Sequence, residues 1–440
     1  MKNFLKLICV ALLFTACTDY LDEFKDEYEE TFAAIEDQSS DSNGQGQSGP
    51  TEEPSSSVSS QETESCSSVS NQETLSSSSV KPSSNTSVSS SSNNKEVSSS
   101  SAESSSSFDD GRVHRNRIGP VSQYGELFAN GGHLSGSCPA WESSIVQVRG
   151  MSLYWSLVPE AMEFWTEEGI ATMVDDMKIE VVRAAMAAKH DSSGRDEWNG
   201  MVLEDYLHNS AQQKSFVKTV VEAAIKNDIY VIIDWHNESN DGNTDEAVKF
   251  FEYIAQEYGS YNNVIFEVWS EPKNTDMSTV VAHAKSVMAA IRKHSDNLVL
   301  VGSTDWSMHP ELCAQADIQD KNYACTFEFF AASHGLSGFS TSARQAISNG
   351  VPVFATEWGT VGADGSGGIN QNSSGEWVSW MEQNGISWTN WNASKVSLTS
   401  AAAFTSSATR TSLQYTSSGN LVKGFLATNP TSYTDCGLPN

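Results

Sequence analysis

Basic residues are scarce in this 440-residue chain: 26 Lys and Arg face 56 Asp and Glu, for a formal net charge of −30. Such a surface repels phosphate backbones, which argues against nucleic acid as a partner. The deficit is shared along the chain, since residues 1–107 hold 17 acids against 5 bases and so carry −12 of the total. The acidic stretch from Asp19 to Asp37 reads as a solvated spacer in preference to a calcium site. No C-x-x-C pair occurs, which disfavours zinc. No G-x-G-x-x-G follows the first candidate strand, and the Gly-rich "GADGSGG" at 362–368 comes after a late strand with the wrong spacing for a dinucleotide. Large apolar side chains are almost missing from residues 39–107, where Ser dominates with Asn, Gln, Glu and Thr. That composition cannot bury enough surface to offset ordering entropy.

What is present at the N-terminus reads as an address. Lys2 and Lys6 accompany a short apolar segment, "FLKLICVALLF", too brief to cross a bilayer as a permanent helix. The following "TAC" resembles a bacterial lipoprotein processing site, which implies a signal peptide over 1–16 and lipidation of Cys17. Thr18 in place of Asp leans toward the outer membrane. Ordinary signal cleavage with Cys17 incidental, giving a secreted protein, is the alternative. Residues 17–38 would form an acidic tether. Residues 39–107, where "SSVSSQETES" recurs loosely as "SSVSNQETLS", would form a flexible stalk ahead of a globular domain over 108–440. Setting aside Cys9 in the signal, Cys17 and Cys66 in the stalk leaves four cysteines in an exported domain, so two disulfides are expected. Three connectivities exist; the favoured one pairs Cys138 with Cys436, tying the ends of the domain, and Cys313 with Cys325, closing a local loop.

From about residue 145, apolar runs alternate with amphipathic stretches. The candidate strands are "IVQVRGM", "EVVRAAM", "YVIIDWH", "VIFEVWS", "LVLVG", "ACTFEFF", "PVFATEW" and "ISWTNW". Helical patterns such as "KSFVKTVVEAAIKN" and "DEAVKFFEYIAQEYG" lie between them. This order predicts parallel strands buried on both faces, closed as a (β/α)8 TIM barrel, with an open doubly wound sheet as the alternative. Polar and aromatic residues gather where the strands end: Arg183 in the second, His236 and Glu271 closing the third and fourth, Glu328 in the sixth, Glu357 in the seventh and Trp391 in the eighth. A barrel core wants aliphatic side chains at these points, so the pattern marks an active-site rim.

Two glutamates closing separate strands, with Trp269 and Trp358 as neighbours, should face a cleft, since unpaired buried charge is costly. Two such acids flanking a ring-shaped substrate suggest glycoside hydrolysis, in the retaining mode if the carboxyls stand about 5 Å apart. This chemistry needs neither cofactor nor metal.

The motifs "VSQYGEL", "VQVRGMS", "VVRAAM", "YVIIDWH", "VIFEVWSEP", "TFEFFAASHG", "VPVFATEWGT" and "ISWTNWNASK" resemble, over about residues 120–425, glycoside hydrolase family 5 and its bacterial endo-1,4-β-glucanase branch. The resemblance implies a monomeric barrel acting on a cellulose-like β-glucan, with Glu271 before Pro272 as acid/base and Glu357 in "TEWG" as nucleophile. It implies that Arg183 orients the nucleophile, that His236 lines the subsite of the reacting sugar, that Trp391 stacks on that sugar and that Lys395 reaches a sugar hydroxyl. Trp155 would line the cleft or serve packing.

Three positions depart from the family pattern. Ser270 stands where the family has Asn before the acid/base; the amide would donate to the sugar 2-hydroxyl, whereas a serine hydroxyl is shorter and would reach it only through water. The family's H-x-Y reads here as Glu328, Phe329 and Phe330, unless His334 fills the histidine's role in a shifted alignment. Phe330 has no phenolic hydroxyl for the nucleophile, and Glu328 adds a third acid that should hold one group of the cluster protonated to higher pH. Reduced activity is the expectation. Two alternatives stand beside it: a barrel that binds β-glucan without cleaving it, and hydrolysis of mixed-linkage glucan, xylan or mannan.

Overall fold

The computed structural model describes residues 111–190 and 196–438. The expected signal peptide, Cys17, the tether and the stalk lie outside those residues. Eight parallel strands close into a barrel in sequence order. They are β1 Arg149–Leu153, β2 Val181–Ala187, β3 Tyr230–His236, β4 Val264–Glu267, β5 Val299–Val301, β6 Tyr323–Phe330, β7 Val353–Gly359 and β8 Ser387–Ala393. Pairing of β8 with β1 completes the ring and removes every edge. Helices such as Glu167–Met177, Ser210–Asn227 and Met277–Ile291 pack around it. Their starts are set by side chains that accept from the first turn: Thr166 from Gly169 N, Asn209 from Gln212 N and Asp276 from Thr279 N.

Alternation along β3 shows how the strands divide the core. Val231, Ile233 and Trp235 face the helices, whereas Tyr230 and Ile232 fill the barrel interior with Ile265, Leu300 and Phe354. The same inward row continues upward to Asp234 and His236. Apolar residues therefore plug the N-terminal half, and charged residues line the C-terminal half. At the N-terminal end, helix Pro120–Tyr124 and hairpin Leu127–Asn130/His133–Gly136 contribute to the interior plug. The C-terminal tail crosses there as well. Tyr433 donates to Glu180 at 3.0 Å, and Cys436 is bonded to Cys138 with Cα atoms 6.1 Å apart. A second disulfide joins Cys313 to Cys325.

Most strand boundaries fall within two residues of the sequence reading, and two differ by three or more. β1 begins at Arg149, four residues later than the apolar run at Ile145, because Val146 and Val148 pack with the interior plug ahead of the strand. β4 ends at Glu267, so Ser270 and Glu271 lie in the connection that follows it. The apolar residues Val268 and Trp269 carry burial past the sheet, which made the strand look longer than its pairing.

Candidate active site

Arg183 on β2 is fully buried, and four carboxylates from four other strands converge on it. Its Nε donates to Glu267 at 2.7 Å and its Nη1 to Glu357 at 3.1 Å. Nη2 stands 2.9 Å from Asp234 and 3.6 Å from Glu328. Buried arginine is costly unless its donors are matched, and here the fork is spent on fixing acids. Glu357 reaches this position through an irregularity in β7. From Thr326 to Glu328 is two steps along β6, whereas the paired residues Phe354 and Glu357 are three apart. The extra residue reverses the in/out alternation and turns Glu357 into the barrel mouth. Glu328 and Glu357 are thus lateral neighbours, and Thr356 donates to Glu328 at 3.4 Å.

Glu271 completes the group. Oxygens of Glu271, Glu328 and Glu357 all lie within 4.8 Å of one another. His236 presents Nε2 to Glu271 at 3.4 Å, while its Nδ1 stands 3.0 Å from Asp234. These groups open into a cleft of about 510 Å³.

Burial and mutual repulsion push the acids upward. Burial raises Glu357 to about 8, with Glu238, Asp234 and Glu267 adding to the rise and Arg183 opposing it. Glu271 is raised well above the usual carboxylate range by burial, Glu357 and Glu238. Glu328 is raised well above it too, by burial and by Glu271 and Glu357. Of this trio Glu357 and Glu328 approach the guanidinium, and Glu357 makes the closer contact, so it ionises first and Glu271 keeps its proton. Burial lowers His236 to about 3, leaving a neutral ring.

The aromatic wall is Trp391, Trp155 and Tyr154. Trp391 is stacked with His236, with centroids 5.9 Å apart and planes at 9°. Trp155 lines the cleft, and its ring centroid lies 5.4 Å from that of His236. Phe330 also lines the cleft.

Other expected positions behave differently. Ser270 is fully buried and does not line the cleft; its hydroxyl lies 3.3 Å from His236 Nδ1, so it is placed to act on the histidine and not on a sugar. Lys395 also stays out of the cleft, donating to Ala408 O at 3.2 Å and pairing with Glu163 at 3.7 Å. The chain after Trp391 folds back on itself there, Ala403 N donating to Asn392 O at 2.9 Å and Phe404 N to Ser394 O at 3.0 Å. His334 lines the cleft but accepts from Phe330 N at 3.0 Å, and Glu328 occupies the position beside Glu271 and Glu357.

Asp234 and Glu267 were not singled out from sequence, although each is an acid inside an otherwise apolar strand, a signal in its own right. Lys273, Asp364, Leu398 and Thr399 also line the cleft from loops that carry no periodicity, and Trp306 from the short helix Thr304–Ser307.

The cellulase model of glycosyl hydrolase family 5 matches residues 140–397. The chain belongs to glycosyl hydrolase family 5. It is 42% identical over 245 residues to endoglucanase Z of Dickeya dadantii, covering 55% of this chain and 54% of that one. With an endoglucanase of Clostridium saccharobutylicum it shares 33% over 302 residues, 66% of this chain and 63% of the relative. The chain thus spans between half and two thirds of the length of these relatives. Among solved structures, the catalytic domain of a Thermobifida fusca endoglucanase superposes with a TM-score of 0.62 at 26% identity, covering 71% of this chain and all of that one. A point variant of that catalytic domain in complex with cellotetraose gives 0.61, at 26% identity and with the same coverage of each chain.

Proposed function

We propose that this family 5 chain is a retaining endo-β-1,4-glucanase that cleaves cellulose-like glucans by double displacement. The carrying observation is the approach of Glu271 and Glu357 oxygens to within 4.8 Å across one cleft. Retaining enzymes hold their carboxyls about 5–5.5 Å apart, and inverting enzymes leave about 6.5–9.5 Å for a water. In the first step Glu271 gives its proton to the glycosidic oxygen as Glu357 attacks the anomeric carbon, forming a glycosyl ester and releasing one chain end. Water then attacks the ester, gives a proton to Glu271 and frees Glu357. Arg183 holds the nucleophile, and Trp391, Trp155 and His236 form the wall for the sugar ring. The endoglucanase names of the relatives and the cellotetraose held by a structural neighbour support the substrate class.

Ser270, Glu328 and Phe330 make this a slow member of its family. The enzyme works as a monomer, and the "TAC" and Ser-rich segments support a lipid-tethered, exported form. The test is mass spectrometry of the full chain after exposure to a fluorinated activated cellobioside. An adduct on Glu357 is expected. Binding without an adduct would instead favour a barrel that holds β-glucan without cutting it, and a panel of mixed-linkage glucan, xylan and mannan fixes the polymer.

A further inference from the structure

Glu271 belongs to a second group besides the carboxylate trio. His236 Nε2, a Glu238 oxygen and a Glu271 oxygen all lie within 4.8 Å of one another. His236 is 4% exposed and its Nε2 makes no hydrogen bond among the described residues, although the atom lies 3.4 Å from Glu271. The opposite ring nitrogen, Nδ1, stands 3.0 Å from Asp234. A carboxylate at Nδ1 fixes the tautomer and leaves a lone pair on Nε2, the arrangement that prepares a histidine to bind a metal. Charge favours the same occupant. Arg183 is committed to Asp234, Glu267, Glu328 and Glu357, and Lys273 is turned onto the Trp306 ring at 5.1 Å.

We propose that His236, Glu238 and Glu271 form a site for a first-row divalent cation of the zinc type, whose occupancy blocks hydrolysis. One imidazole and two carboxylates suit zinc or manganese, and ligand distances near 2.0–2.2 Å require only a modest closing of the three groups. The cation is an inhibitor and not a cofactor: coordinated Glu271 cannot carry the proton that the glycosidic oxygen needs. Glu238 transfers no proton and forms no bond in the cleavage, and its side chain is 34% exposed, but its charge bears on Glu271 and Glu357, so the effect of Glu238→Gln on the cation is read from binding without substrate.

The test is calorimetric titration of the chelator-treated full chain with zinc chloride, without substrate, beside Glu238→Gln. A saturable one-to-one site is expected, weakened roughly tenfold or more in the variant, with the zinc midpoint for inhibition shifted by the same factor. Cobalt in place of zinc should give the visible absorption of nitrogen and oxygen ligation in the parent and lose it in Glu238→Gln. Absence of saturable binding, or binding that Glu238→Gln leaves unchanged, overturns the site. Because binding is read without substrate, and hydrolysis in chelator, failure of this site and failure of the glucanase reading are separate results.

Discussion

Ionisation of Glu357 is the step most exposed to test. Attack on an anomeric carbon requires the carboxylate, and burial with Glu238, Asp234 and Glu267 nearby raises this group to about 8 even with Arg183 at 3.1 Å. A fluorinated glycoside with an activated leaving group departs without a proton, so its rate of covalent inactivation reports Glu357 and not Glu271. In chelator-treated protein that rate should climb with pH to a midpoint near 8. Below the midpoint each pH unit costs about tenfold, so the rate at pH 6 should be roughly 1% of the plateau. Replacing Glu238 by Gln removes one of the raising charges and should move the midpoint down. The natural reaction also needs protonated Glu271, which titrates higher, so its optimum should sit on the alkaline side. An inactivation midpoint near the ordinary 4–5 of a glutamate, or one indifferent to Glu238→Gln, would mean that burial and the neighbouring acids do not govern Glu357.

Other outcomes follow from the same geometry. Ser270→Asn, Glu328→His and Phe330→Tyr together should raise kcat on soluble cellulose by about tenfold or more, because an amide reaches where the withdrawn serine hydroxyl does not and a 2-hydroxyl contact is worth several kcal/mol; an unchanged kcat sinks this account. Trp391→Ala should lower kcat/KM on cello-oligosaccharides about thirtyfold, on the order of 2 kcal/mol, by removing the stacking wall. Away from the site, Glu180 is raised to about 7 by burial, above its unfolded value of about 4.5. Its contribution to stability is therefore complete below about pH 4.5 and lost as pH rises through about 7. Tyr433→Phe removes a donor to that carboxylate, so it should cost about 1–3 kcal/mol at pH 8 and less at pH 5, read as the gap in Tm from the parent.

How much of this was legible depends on where the information resides. β3 is bounded in the sequence by its own apolar run, and "YVIIDWH" coincides with Tyr230–His236. The alternation of strands and helices sufficed for the barrel, since each helix must cover two neighbouring strands. The residues facing the mouth were harder. Asp234 and Glu267 each sit singly within an apolar run, and it is the convergence on Arg183 that gives them a purpose. The turn of Glu357 inward depends on how β7 is registered against β6 and β8, a pairing that no single strand encodes. Likewise Lys395 follows Trp391 by only four residues, yet the fold of that loop sends it to Glu163.

The charged layer also explains why substitutions at the mouth can alter chemistry without unravelling the barrel. Burying Asp234, Glu267, Glu271, Glu328 and Glu357 around one arginine lowers stability, since desolvation outweighs much of the attraction. Stability must therefore come from elsewhere, namely the apolar plug in the N-terminal half, the helix-facing layer and the two disulfides. Glu328 lies outside these supports; its contacts are Arg183, Thr356 and the other acids of the cleft. Exchanging it for a histidine or a glutamine changes where protons reside in the cluster far more than it changes what holds the barrel closed. That separation lets a family 5 barrel accept an acid at a position where the resemblance implies a histidine, and it places the consequences in the pH profile and not in the fold.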